Sequence, residues 1–109
     1  MDIIETDVVN GRIKALSRDP SGQIIGSAWG GIEGDAAVLD TVQVDPPKRG
    51  KGVGRQVVNG FVAAARQAGA KTIKGEVKPE FGLRVKETKQ FYDKLGFRVG
   101  EDGTLEMDL

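Results

Sequence analysis

Up to Val44 the chain alternates apolar and polar residues in short runs rich in β-branched side chains. Clusters at Asn10-Gly11, Asp19-Pro20-Ser21-Gly22 and Glu33-Gly34-Asp35 punctuate the runs. A two-residue period puts successive side chains on opposite faces of a sheet, so four strands are expected over residues 3–9, 12–18, 23–32 and 36–44. Asn10-Gly11 suits a turn with positive φ at both central residues and makes the first two strands hairpin neighbours. Asp45-Pro46-Pro47 stops the fourth strand, because proline removes a backbone donor.

Beyond a loop of glycine and basic residues the period lengthens. Val53, Val57, Phe61 and Ala65 recur every fourth residue, with Val58 and Val62 widening the stripe. That predicts an amphipathic helix over residues 52–68, closed by Gly69. Residues 72–77 then read as a strand parallel to 36–44, in a strand-helix-strand unit. A looser stretch through Pro79 and Gly82 leads to a second helix, residues 85–95, with Thr88, Phe91, Tyr92 and Leu95 inward and Gly96 at its end. Residues 97–100 and 104–109 form a terminal strand pair. The fold class is α+β, a mixed and mostly antiparallel sheet of six or seven strands with two main helices in one domain over residues 1–109.

Composition narrows the chemistry. The 109 residues contain no Cys and no His, which excludes disulfides, thiol nucleophiles, His-based triads and nearly every zinc site. Lys plus Arg equals Asp plus Glu at 16 each, so no global field attracts nucleic acid or anionic lipid. No stretch approaches a membrane span and no basic, apolar leader opens the chain, so a cytoplasmic location is expected.

The loop between the fourth strand and the first helix carries the chemistry. Val44-Asp45-Pro46-Pro47-Lys48-Arg49-Gly50-Lys51-Gly52-Val53-Gly54-Arg55 brings three glycines at alternate positions to a helix N-terminus, where free amides and the helix dipole favour an anion. Lys48, Arg49, Lys51 and Arg55 add local positive charge. No window supplies the Walker pattern, and the third glycine of the dinucleotide fingerprint is missing in both registers, where Arg55 or Val57 stands. Arg49-Gly50-Lys51-Gly52-Val53-Gly54 instead resembles the Arg/Gln-x-x-Gly-x-Gly/Ala acyl-CoA motif of the GNAT (GCN5-related) N-acetyltransferases. Phe91-Tyr92-Asp93-Lys94-Leu95-Gly96-Phe97 is similar to the family's Tyr-x-Lys-x-Gly-Phe signature, and residues 103–109 resemble its last strand. The resemblance is specific from residue 38 to 109.

What it implies can be carried over at the matching positions. Acetyl-CoA, the cosubstrate, would lie in a V-shaped opening between strands 36–44 and 72–77. Val42, Gln43 and Val44 would hold the pantetheine arm and acetyl carbonyl. Arg49, Gly50, Lys51, Gly52, Val53, Gly54 and Arg55 would take the pyrophosphate, and Lys94 a further phosphate. Tyr92 would be catalytic, donating a proton or hydrogen bond to the leaving thiolate after an amine attacks the thioester directly, with no metal. Asp40, Glu76, Glu33 and Glu80 are open as the base. Val85 and Thr88 replace an Asn and an Ala common in the family. Only strand-like sequence precedes Val44 where relatives carry two helices, so the acceptor amine is undefined. A minimal sheet of this kind is expected to bare Ile, Val, Leu and Trp29 on one face and to cover them in a homodimer. A non-catalytic acyl-CoA sensor and a small protein-interaction module are the competing readings.

Overall fold

Asn10 and Gly11 turn the chain with φ of 51° and 75°, and the strands they join pair without interruption from Ile3↔Arg18 to Val9↔Arg12. These strands are β1 (Ile3–Val9) and β2 (Arg12–Arg18). They are followed by β3 (Ile24–Glu33), β4 (Ala36–Val44), helix α1 (Val53–Gln67), β5 (Thr72–Glu76), helix α2 (Val85–Lys94), β6 (Arg98–Val99) and β7 (Thr104–Asp108). The computed structural model describes residues 3–78 and 85–109. The expected loop at Pro79 and Gly82 lies outside them, as does Glu80. The seven strands form one sheet in the order β1-β2-β3-β4-β5-β7-β6, antiparallel except for β4 beside β5. Among the described residues, no helix is long and apolar enough to cross a membrane.

Alternation along the strands assigns the two faces. Ile13, Ala15, Ala28, Ala37, Leu39, Ile73 and Leu105 are buried and pack in one cluster with Val57, Val58, Phe61 and Ala65 of α1 and Tyr92 of α2. Both helices therefore cover the same face. Burying each of the larger side chains contributes about 1.5–3 kcal/mol relative to exposure, which is why the four-residue stripe of α1 decides where that helix lies. Ile25, Val44 and Val53 form a second, smaller cluster that fastens the start of α1 to the ends of β3 and β4. The molecule is correspondingly thin, 37 × 32 × 17 Å.

The uncovered face carries Arg12, Lys14, Asp40, Gln43, Lys74, Glu76 and Glu106, all exposed. Trp29, Leu16 and Val38 are its half-buried apolar members. The expectation of a broad apolar face is thus corrected: among the described residues, alternation put mostly charged side chains on the side that no helix covers. Its exposed large apolar residues are Ile3 and Val9 of β1 and Ile24 of β3, and β1 also exposes Ile4 and Val8 on the other side.

Candidate functional site

The site begins with an interruption in β4. Register with β3 runs Trp29↔Thr41 and then Gly30↔Leu39, so Asp40 is one residue too many and bulges out. Burial follows: Ala37 and Leu39 point to the helices before the bulge, Val42 and Val44 after it. The β4–β5 ladder ends at Leu39↔Gly75. From Asp40 onward β4 runs on with β3 as its ladder partner and diverges from β5. The expected V-shaped opening thus starts one residue before the bulge. Lys78 Nζ, just after β5, donates to the Asp40 carbonyl and so spans the diverging strands, while Arg49 Nε folds back to the Val44 carbonyl at the end of β4, each at 3.3 Å.

On the helix face the opening leads to a cleft of about 510 Å³ between the start of α1 and the side of α2. The loop reaches it through a short 3-10 turn, Pro46–Lys48. Gly52 then takes φ of +83° as the N-cap of α1, with no side-chain cap and no acid in the first turn. That left-handed conformation is one that L side chains adopt rarely. Since Gln56 N–H is the first to bond back, to Gly52 at 3.1 Å, the amides of Val53, Gly54 and Arg55 have no intrahelical acceptor. A helix that needed only stability would carry Ser or Asp here. This one leaves its dipole and amides uncapped, with Lys48, Arg49 and Arg55 around them, an arrangement suited to an anion.

Arg49, Gly50, Gly52, Val53, Gly54 and Arg55 all line this cleft, and Val44 stands at its inner end. Lys51 is exposed and lies outside the lining. Val42 and Gln43 line a second groove of about 510 Å³ on the uncovered face, together with Asp40, Thr41 and Lys78. Val44 and Arg49 line both, so the two spaces lie on either side of a shared wall at the fork. A third recess, about 340 Å³, continues past Asp40 and Lys78 to Lys74 and Glu76. Asp40 sits where these recesses join and lies 3.8 Å from Arg12. Glu33 ends β3, away from all three.

Helix α2 divides its apolar residues. Thr88 and Tyr92 are buried, whereas Phe91 and Leu95 are half-buried and form the cleft wall with Lys94. Tyr92 is 1% exposed, edge-on to Phe91 and Phe97 with ring centroids 5.1 and 5.5 Å away, and does not line the cleft. Phe91 and Leu95, expected on the inner face, pack against the core cluster and line the cleft as well. Their four-residue spacing, offset by three from Thr88 and Tyr92, is the signal for a second stripe, here facing the cleft.

Comparison with known proteins agrees with this geometry. The Acetyltransferase (GNAT) domain family matches residues 10–99. No curated protein matches the chain. Solved structures with the same fold include a Klebsiella pneumoniae protein assigned as an acyl-CoA N-acyltransferase, 17% identical over 100% of this chain and 98% of that one, with a TM-score of 0.81. An IAA acetyltransferase from Bacillus cereus is 15% identical over the full length of both chains, with a TM-score of 0.80. The PaiA N-acetyltransferase of Thermoplasma acidophilum, solved with coenzyme A, is 18% identical over 91% of this chain and 62% of its own, with a TM-score of 0.75. The forked sheet, the glycine-rich start of α1 and the match over residues 10–99 together make this chain a member of the GNAT acetyltransferase family.

Proposed function

We propose that the protein moves an acetyl group from acetyl-CoA to an amine, with the two substrates meeting through the fork between β4 and β5. The observation that supports this is that the cleft at the uncapped start of α1 and the polar groove on the other side of the sheet adjoin at the fork, with Val44 and Arg49 lining both. Amides at the start of α1, with Arg49 and Arg55, hold the pyrophosphate. Main-chain groups of Val42, Gln43 and Val44 align the pantetheine arm and the thioester. The amine approaches along the open groove, and we assign Asp40 as its proton acceptor, directly or through water. The nitrogen forms a bond to the acyl carbon as the carbon–sulfur bond breaks, and the thiolate takes its proton from Tyr92.

Binding is tested first. At about a hundred times its dissociation constant, acetyl-CoA adds ~2.7 kcal/mol to stability, a rise in Tm of about ten degrees or more for a domain of this size. Gly52→Val, which cannot hold the N-cap conformation without strain, should fold but lose that rise. A Tm rise equal to that of the parent protein in this variant would remove the loop from the site. The burial of Tyr92 favours a second reading, an acyl-CoA sensor without turnover. Thiol release with a broad amine panel separates the two, since the sensor binds acetyl-CoA and releases none.

A further inference from the structure

Of the two sheet edges among the described residues, β6 is two residues long and β1 seven. Proteins blunt long edges with Lys, Pro, a bulge or brevity, because a free row of amides and carbonyls recruits another strand. Strand β1 has none of these devices. Its sequence, IIETDVV, lacks Lys, Pro and Gly, and its register with β2 is unbroken. Ile3, Ile4, Val8 and Val9 are 59%, 37%, 42% and 53% exposed.

The order of side chains along this edge is chemically symmetric about Thr6: two β-branched apolar residues, an acid, Thr6, an acid, and two β-branched apolar residues. We propose that β1 pairs antiparallel with β1 of a second copy of this chain, about a two-fold axis at Thr6. The Asn10-Gly11 turn closes on Val9 and Arg12 as a hydrogen-bonded pair, so alternation directs the main-chain groups of Val9, Asp7, Glu5 and Ile3 to β2. Those of Ile4, Thr6 and Val8 point outward. In the symmetric register Thr6 meets the partner's Thr6 and Ile4 meets the partner's Val8, and every outward amide finds an outward carbonyl.

Pairing residues of one parity also keeps the helices of both copies on one face. Ile4 and Thr6 already lie against α1, their Cγ2 atoms 3.2 and 3.4 Å from where a Cβ on Gly60 would stand. On the uncovered face Ile3 meets the partner's Val9. Moving the axis to Glu5 or Asp7 sets that acid against itself and leaves an apolar pair unmatched. The symmetric register has one cost, Glu5 opposite the partner's Asp7. It is offset within each chain, where Arg18 Nε donates to Glu5 at 3.1 Å and Lys14 is the register partner of Asp7. The fork lies beyond β2 and β3 from this edge, so each copy keeps its own site. The inference rests on the sheet and is independent of the transferase reading.

Sedimentation equilibrium from low to high micromolar concentration tests it. The parent protein should approach twice the chain mass of 11.6 kDa. Thr6→Pro removes an outward amide at the axis and none directed to β2, so it should sediment as a monomer with an unchanged circular dichroism spectrum. Asp7→Asn relieves two like-charge contacts and should tighten the dimer roughly two- to thirtyfold. A parent protein that stays monomeric overturns the proposal. So does a dimer whose affinity Asp7→Asn leaves unmoved, whether or not Thr6→Pro folds.

Discussion

At the scale of single residues, the site separates what holds a substrate from what would turn it over. Gly52 and the amides after it, proposed to hold the pyrophosphate, do so without any particular side chain. Asp40 and Tyr92 are different, because their proposed work is proton transfer. Tyr92→Phe keeps the ring that packs edge-on to Phe91 and Phe97 and removes the hydroxyl alone. Asp40→Asn keeps the shape of the bulge while giving up a carboxylate that is also the ion-pair partner of Arg12. Such an exposed pair contributes at most about 1 kcal/mol to stability, so the fold should survive its loss. Both variants should retain the acetyl-CoA Tm rise while kcat falls by ~10²–10⁴-fold, the range for a positioned acid or base. Parental turnover in Tyr92→Phe would leave that residue a core role, and an unchanged pH profile in Asp40→Asn would send the search for the base to Glu76.

At the scale of elements, the fork depends on a close approach between β3 and β4. A Cβ on Gly30 would run into the Val38 carbonyl oxygen and stand 3.0 Å from Phe61 Cζ. The bulged strand folds its backbone over this point, and only a hydrogen leaves room for it. Gly30→Ala is therefore expected to cost about 3 kcal/mol, at the upper end for overpacking, since the obstacle is backbone and cannot swing aside. Chemical denaturation gives the number. A loss below about 1 kcal/mol would mean that β4 shifts without resistance and that the bulge is not pinned by β3.

At the scale of the whole molecule, carboxyls in two turns and on the far edge link stability to acid pH. The Ser21 hydroxyl donates to Asp19 at 2.6 Å, and the Thr104 hydroxyl to Asp102 at 2.8 Å. These bonds, with nearby backbone amides, hold both carboxyls below the usual carboxylate range. Arg98 does the same for Asp108 through a hydrogen bond of 3.0 Å and its charge. In the unfolded chain each titrates near about 3.9. A lowered folded pKa means that the unfolded state binds more protons between the two values, so stability is fully present above about pH 4 and declines as pH falls through the folded values. Melting curves should be flat from neutral pH down to that point and then drop. In Asp102→Asn the drop should be shallower, with a slightly lower Tm at neutral pH. An acid limb identical to the parent's would show that the loop carboxylate does not contribute.

Much of this architecture was legible in order and spacing. Asn10-Gly11 foretold the hairpin, because few other residue pairs accept positive φ twice in succession. The four-residue stripe of α1 and its closing Gly69 foretold the helix, because periodic burial is a local property of the chain. The alternate glycines at 50, 52 and 54 marked the uncapped start of α1 for the same reason: a backbone conformation and a helix start are written within a few residues. What the chain alone could not supply depends on residues far apart in sequence. Asp40 is a bulge only because Trp29 and Gly30 of β3 take Thr41 and Leu39 as partners and leave it none, and after that bulge Val42 and Val44 turn to the helices while β5 falls away. Phe91 and Leu95 pack against the core and also form the cleft wall because the loop entering α1 lies across from them. The uncovered face is charged, and β1 is left with the exposed apolar edge, because both crossovers pack their helices on one side. Local preference selects elements, whereas the side on which they bury their apolar surface is settled only when the strands are brought together.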